Sequence, residues 1–231
     1  MIPTASQTGT YANSAQWFTG VHIGRVVAVN DPQNMGRVQV IIPAIDIGGE
    51  APIWARVVTP FAGNEYGAFF IPDVDSEVLI AFTAGDTAHP VVLGNMWNGA
   101  HTLPEETPGD GVNLWSITGK AGTRIAIVED SAGSEEVEIS TPGNRKVTVT
   151  DAGGGKIKLK SGGNTITMSG SGIKVKSGSE ITVEGSTVSV TAGMVSVDAA
   201  LSEFSGIVRC DTLITNSVVS TSYTPGAGNV W

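Results

Sequence analysis

The chain has 231 residues, 41% of them hydrophobic and 15% charged, with 30 glycines and few runs of helix-forming residues. Such a composition fits an all-β protein of one or two domains. Asp and Glu number 22 against 13 Lys and Arg, a formal net charge of −9, and a surface of that sign repels phosphate backbones and anionic lipid headgroups. The single cysteine, Cys210, excludes an intrachain disulfide and a multi-cysteine metal site; it is expected as a small buried apolar residue of a strand.

Residues 1–20 are rich in Thr, Ser and Ala around Tyr11, Trp17 and Phe18 and read as an arm that orders on a neighbour. They show neither a basic segment nor an apolar core, so no secretory signal is expected. No stretch approaches the ~18 apolar residues that would span a bilayer. The expectation is synthesis in the cytoplasm and, for any export, a route other than general secretion.

Residues 21–104 form the first compact block. Five strands are predicted, over residues 22–30, 36–43, 53–60, 77–83 and 90–97, the first two joined by Asp31-Pro32-Gln33-Asn34-Met35, a turn whose residues fix φ or cap the backbone locally. Five strands with no helical period between them suit a small Greek-key barrel of the OB type. Residues 105–122, opening with Glu105-Glu106-Thr107-Pro108-Gly109-Asp110-Gly111, are a linker by composition, with Val112, Leu114, Trp115 and Ile117 expected as a short strand docked on the barrel.

From 123 to 204 the texture changes to β-branched pairs at i, i+2. In order they are Ile125/Ile127, Val137/Ile139, Val147/Val149, Ile157/Leu159, Ile166/Met168, Ile173/Val175, Ile181/Val183, Val188/Val190 and Val195/Val197. This spacing puts both members of a pair on one face of a strand and the residue between them on the other. From Val137 the steps between pairs are 10, 10, 9, 7, 8, 7 and 7 residues, a short repeat that tapers, as in a β-stack.

Seven or eight extended residues reach only ~25 Å, too little to circle a core. Identical chains are expected to supply the missing faces, and three of them close a prism with a dry axis. The predicted core of that homotrimer is Val147, Val149, Ile157, Leu159, Ile166, Ile173, Val175, Ile181, Val183, Val188, Val190, Val195 and Val197. After Phe204 the pairs become irregular, and residues 205–231 are expected to cap the stack, with Tyr223, Val230 and Trp231 as a tip-docking surface.

The first block also carries a resemblance. Gly24-Arg25-Val26, Asp31-Pro32, Gly36-Arg37-Val38-Gln39-Val40, Trp54-Ala55-Arg56-Val57, Ala62-Gly63, Gly67, Phe70, Pro72, Glu77-Val78-Leu79-Ile80-Ala81-Phe82, Gly85-Asp86, Pro90-Val91-Val92-Leu93-Gly94 and Asn98-Gly99 together resemble the N-terminal OB domain of the central spike proteins of contractile injection machines. These are the baseplate assembly protein V type of contractile phages and the valine-glycine repeat spikes of type VI secretion.

The family usually has Gly-Asp or Gly-Asn in the turn before Glu77, where this chain has Asp75-Ser76. The resemblance implies an all-β chain, a five-stranded OB-type barrel followed by an intertwined homotrimeric β-helix or β-prism needle. It further implies a hub protein at the barrel end, a small separate protein or an apolar plug at the tip, transient contact with a target cell envelope, and assembly into a virion tail or an extracellular injection particle. Some members close the tip with an iron-binding HxH motif; His22, His89 and His101 are the only histidines here and none lies near the C-terminus.

Chemistry is sparse. Asp73, Asp75 and Glu77 could form a carboxylate or cation site or simply cap a turn, and Arg25, Arg37 and Arg56 could be ion-pair partners or face a hub. There is no GxSxG, HExxH or P-loop, so no enzyme, cofactor or metal is expected. The leading reading is a mechanical spike. An OB module that binds glycan or oligonucleotide on a trimeric stalk is the alternative, with nucleic acid disfavoured by the net charge. A β-helical polysaccharide-active enzyme would need longer coils and clustered Asp.

Overall fold

A computed structural model describes residues 19–107 and 109–222. The chain divides into two units, Met1–Ser179 and Glu180–Trp231.

In the first unit, five strands close a barrel: β1 (Val21–Ala28), β2 (Arg37–Ile41), β3 (Ile53–Val57), β6 (Glu77–Phe82) and β7 (Pro90–Met96), in spatial order β1-β2-β3-β7-β6, with β1 pairing β6 to complete the ring. Each of the five predicted strands coincides with one of these. All pairings are antiparallel except β3 with β7. Alternation turns Val38 and Val40 of β2, and Val78, Ile80 and Phe82 of β6, into the interior, where Val26, Ile42, Ala55 and Val92 meet them. Gly24 lies where the wall is tightest: a Cβ there would collide with Ile80 and touch the Ile41 carbonyl. A two-stranded hairpin, β4 (Ala62–Gly63) with β5 (Tyr66–Gly67), was not expected from the sequence; strands this short carry no readable period.

The turn between β1 and β2 is built on one side chain. Asp31 accepts from the amides of Gln33 (3.0 Å), Met35 (2.8 Å) and Arg37 (3.2 Å), and from the Arg37 guanidinium at Nε (3.1 Å) and a terminal nitrogen (2.7 Å). The guanidinium lies 5.6 Å from the Trp54 ring centroid, so the charge pair is also stacked. Before β6, Asp75 takes φ +67°, the left-handed conformation that a glycine adopts freely and an aspartate tolerates. Its carboxylate pairs with Arg25 at 2.8 Å, and the departure from the family's Gly is accommodated at that position.

The second sheet is an antiparallel meander of β8 (Leu114–Thr118), β9 (Arg124–Val128), β10 (Glu136–Thr141), β11 (Arg145–Thr150), β12 (Lys156–Ser161), β13 (Asn164–Ser169) and β14 (Gly172–Lys176), in sequence order across the sheet. The strand at 114–118, expected to dock on the barrel, pairs instead with β9 over its full length; its apolar residues extend the sheet's own pattern. Residues 180–222 form no helix or strand within the chain and make no backbone–backbone hydrogen bond among the described residues. Cys210, expected buried in a strand, is exposed in this segment, because without a ladder there is no sheet to cover it. No helix of the described residues is long and apolar enough to cross a membrane.

The hydrogen bond from Arg37, aided by the three amides, outweighs burial and holds the Asp31 carboxyl well below the usual carboxylate range. A depressed folded-state pKa contributes stability that is present above the unfolded value and lost as pH falls toward the folded one. Urea titrations followed by tryptophan fluorescence should therefore show the barrel's midpoint falling below about pH 4. Asp31→Asn should be less stable than wild type at pH 7 and lose less on acidification.

Candidate functional site: the apolar face of the second sheet

Strand register assembles the valine and isoleucine pairs into two continuous rows. One runs Trp115, Ile127, Val137, Val149, Ile157, Met168, Ile173; the other runs Ile117, Ile125, Ile139, Val147, Leu159, Ile166, Val175. Each residue faces its neighbour directly across the ladder, where side chains interact most strongly. All fourteen lie on one face, since every one of them alternates with a residue of the other face.

In a single chain this face has no cover. All its members except Val147 and Met168 are 39–72% exposed. Of the ten buried hydrophobic residues among those described, nine belong to the barrel and only Ala126, on the opposite face, to the sheet. A patch this continuous marks an association surface.

The opposite face is polar and partly ion-paired. Lys146 Nζ lies 2.7 Å from Glu138 and 3.4 Å from Glu136, and Arg124 bonds Glu105 at 2.6 Å and approaches Glu138 at 3.8 Å. The Lys146 hydrogen bond is the main reason the Glu138 carboxyl sits below its ordinary range, and Glu138 in turn raises Lys146. Glu105 thus ties the segment before β8 to β9.

Seven of the sequence-predicted core residues, Val147, Val149, Ile157, Leu159, Ile166, Ile173 and Val175, are brought together in the two rows. Ile181, Val183, Val188, Val190, Val195 and Val197 lie in the second unit, exposed and outside any strand of this chain. Tyr223, Val230 and Trp231 lie outside the described residues. Trp115 and Ile117 join the face although the sequence reading left them in the linker; their own i, i+2 spacing was the signal.

The carboxylates Asp73, Asp75 and Glu77 do not converge. Asp73 binds Lys120 and the Val74 amide, Asp75 binds Arg25, and Glu77 accepts from Asn98 at 3.4 Å. Among the described residues no group of three or more His, Cys, Asp or Glu comes together.

The geometry is thus a closed barrel of OB strand order and a seven-stranded sheet with one open apolar face. Residues 22–97 match the type VI secretion system and phage-baseplate injector OB domain, and residues 136–202 match the phage baseplate V C-terminal trimerisation domain. The two matches take in more than half of the chain, which belongs to this baseplate and type VI spike family. The second spans every predicted core residue from Val147 to Val197.

The chain is 30% identical over 102 residues to the type VI secretion system spike protein VgrG1b of Pseudomonas aeruginosa, covering 42% of this chain and 14% of that relative. It is 36% identical over 88 residues to VgrG4b of the same species, covering 36% and 11%. To VgrG3 of Vibrio cholerae it is 31% identical over 111 residues, covering 45% and 11%. The chain thus spans about a seventh or less of these spike proteins' lengths.

If the rows are an association face, a charge placed in them must be desolvated on assembly, whereas one on the opposite face stays in water. Leu159→Asp should abolish the oligomer seen by light scattering, and Thr167→Asp, one strand away on the polar face, should leave it intact.

Proposed function

We propose that the chain is a structural spike: three copies join along the apolar faces of their second sheets and form a rigid needle that a contractile machine drives through a target envelope. The observation that carries this reading is the pair of uncovered apolar rows, followed in sequence by exposed Val and Ile in residues 180–222, whose backbone makes no backbone–backbone hydrogen bond among the described residues. Backbone N–H and C=O groups that a chain cannot pair internally find partners in other strands. The match to a trimerisation domain supports three as the number of chains.

The trimer core would be the residues predicted from sequence, with the rows of β8–β10 added. Each buried Val or Ile contributes ~1.5–3 kcal/mol, offset in large part by the entropy of ordering the chain. The useful result is kinetic. Chains paired strand to strand in the 180–222 region must unpair before they separate, so loss of the needle is slow. A spike acts once and mechanically, and stiffness is what it needs. On this reading the barrel end meets a hub, the residues beyond 204 form or receive the tip, and the protein works in an assembled tail or injection particle rather than as an enzyme.

An unboiled SDS gel tests the reading. The wild type should migrate as a trimer, and Val183→Asp, which puts three charges at the axis, should run as a monomer. Hydrogen exchange on the native protein should show amides of residues 181–197 protected for hours. A wild type that is monomeric at micromolar concentration with those amides exchanging at once would refute the needle.

A further inference from the structure

The net charge of −9 conceals a reversal of sign within the second sheet. Seven of the chain's 13 basic residues, against the single acid Asp151, fall between Arg145 and Lys176. Register sorts six of them onto the polar face, Lys146 beside its two glutamates and five more on β12 and β14. Lys156, Lys158 and Lys160 alternate along β12 with Ile157 and Leu159, and Lys174 and Lys176 alternate along β14 with Ile173 and Val175. Across the sheet, Lys158 and Lys174 flank Thr167, and Lys160 and Lys176 flank Thr165. The result is a lattice of lysines ~7 Å apart along a strand and ~10 Å apart across two, with hydroxyls between. Among the described residues none of the five has a carboxylate within ion-pair distance, in contrast to Lys146 on β11 and Arg124 on β9.

A stability role does not account for this. Packing like charges on one face costs self-repulsion, and Lys146 stands directly opposite Lys160. Edge protection explains lysines on an outermost strand, which covers β14 but not β12, an interior strand. The same face of β12–β14 carries no aromatic residue on which bases could stack. The cations are all lysine, compact and strongly hydrated, which attract a field of anions without the bidentate grip that arginine gives. An array of that kind, with no aromatic ring between its charges, fits a field of phosphates that is to be passed and not held.

We propose that the lysine face of β12–β14 is a contact surface for anionic phospholipid headgroups, engaged as the needle crosses an envelope. The proposal rests on the reading of the chain as a trimeric spike, which triples the array and turns this face outward.

Co-sedimentation of the full chain with phosphatidylglycerol vesicles, phosphatidylcholine vesicles as control, tests it. The wild type should bind the anionic vesicles, weaken as salt rises through the range where the Debye length shrinks to ~8 Å, and resist competition by millimolar inorganic phosphate. The variant with Lys156, Lys158 and Lys174 changed to Gln should stay trimeric by light scattering yet bind at least ~10-fold more weakly, and the same three changed to Arg should retain binding.

A trimeric wild type that prefers neither vesicle overturns the lipid contact and leaves the spike standing. Equal affinity for duplex DNA, or displacement by inorganic phosphate, overturns the lipid assignment. A monomer that binds anionic vesicles through these lysines removes the trimer and keeps the surface.

Discussion

A sheet can satisfy its backbone inside one chain and still fail to hide its side chains, and the rest of this structure follows from that separation. Strands β8–β14 pair with one another without help, so their ladder needs no partner. Their apolar rows have nothing above them. The barrel solves the same problem by curling until its inward residues meet across a closed interior, which is why Val26, Val40, Val78, Ile80 and Val92 have no exposure at all. An open meander has no such recourse. Only a second layer can bury it, and among the described residues the rows stay exposed.

This constraint separates two modes of dependence on other chains. From β8 to β14, what a partner would supply is a face. In residues 180–222 it would supply the ladder as well, since the backbone there makes no backbone–backbone hydrogen bond among the described residues. The first region can fold and then associate, whereas the second has little to fold onto before association. Fast local hairpins followed by slow winding is the folding order such an arrangement implies, because contacts between chains cost more ordering entropy than contacts between neighbouring strands.

Much of this was legible in the residues. The i, i+2 pairs marked each of β9–β14, and the alternation of β2 and β6 marked the barrel walls. What could not be read was which chain supplies the next strand. Ile166/Met168 and Ile173/Val175 are seven residues apart and form a hairpin through Gly170-Ser171, with Gly172 at φ +126°. Ile181/Val183 and Val188/Val190 are also seven apart, across Gly185-Ser186, and do not pair within the chain. A period of two fixes which side of a strand is apolar and says nothing of its neighbour's origin. The strand at Leu114–Thr118 was misplaced for a related reason: a linker composition on its N-terminal side outweighed a correct apolar pair.

Charge was the least legible property, because it is a total in the sequence and a pattern in the fold. Asp31 and Arg37 are six residues apart and cancel in any count, yet they organise the first turn of the barrel. Glu136, Glu138 and Lys146 cancel likewise and tie β10 to β11. Beyond β11 the cancellation stops, since strands β12–β14 put Lys156, Lys158, Lys160, Lys174 and Lys176 on the polar face and contain no acid. A whole-chain value of −9 argues against contact with phosphates only if the charge is spread evenly. Once register is known the argument weakens for that face, because at physiological salt an anion within a Debye length of β12–β14 responds most to the lysines there, while Glu136 and Glu138 on β10 are paired with Lys146.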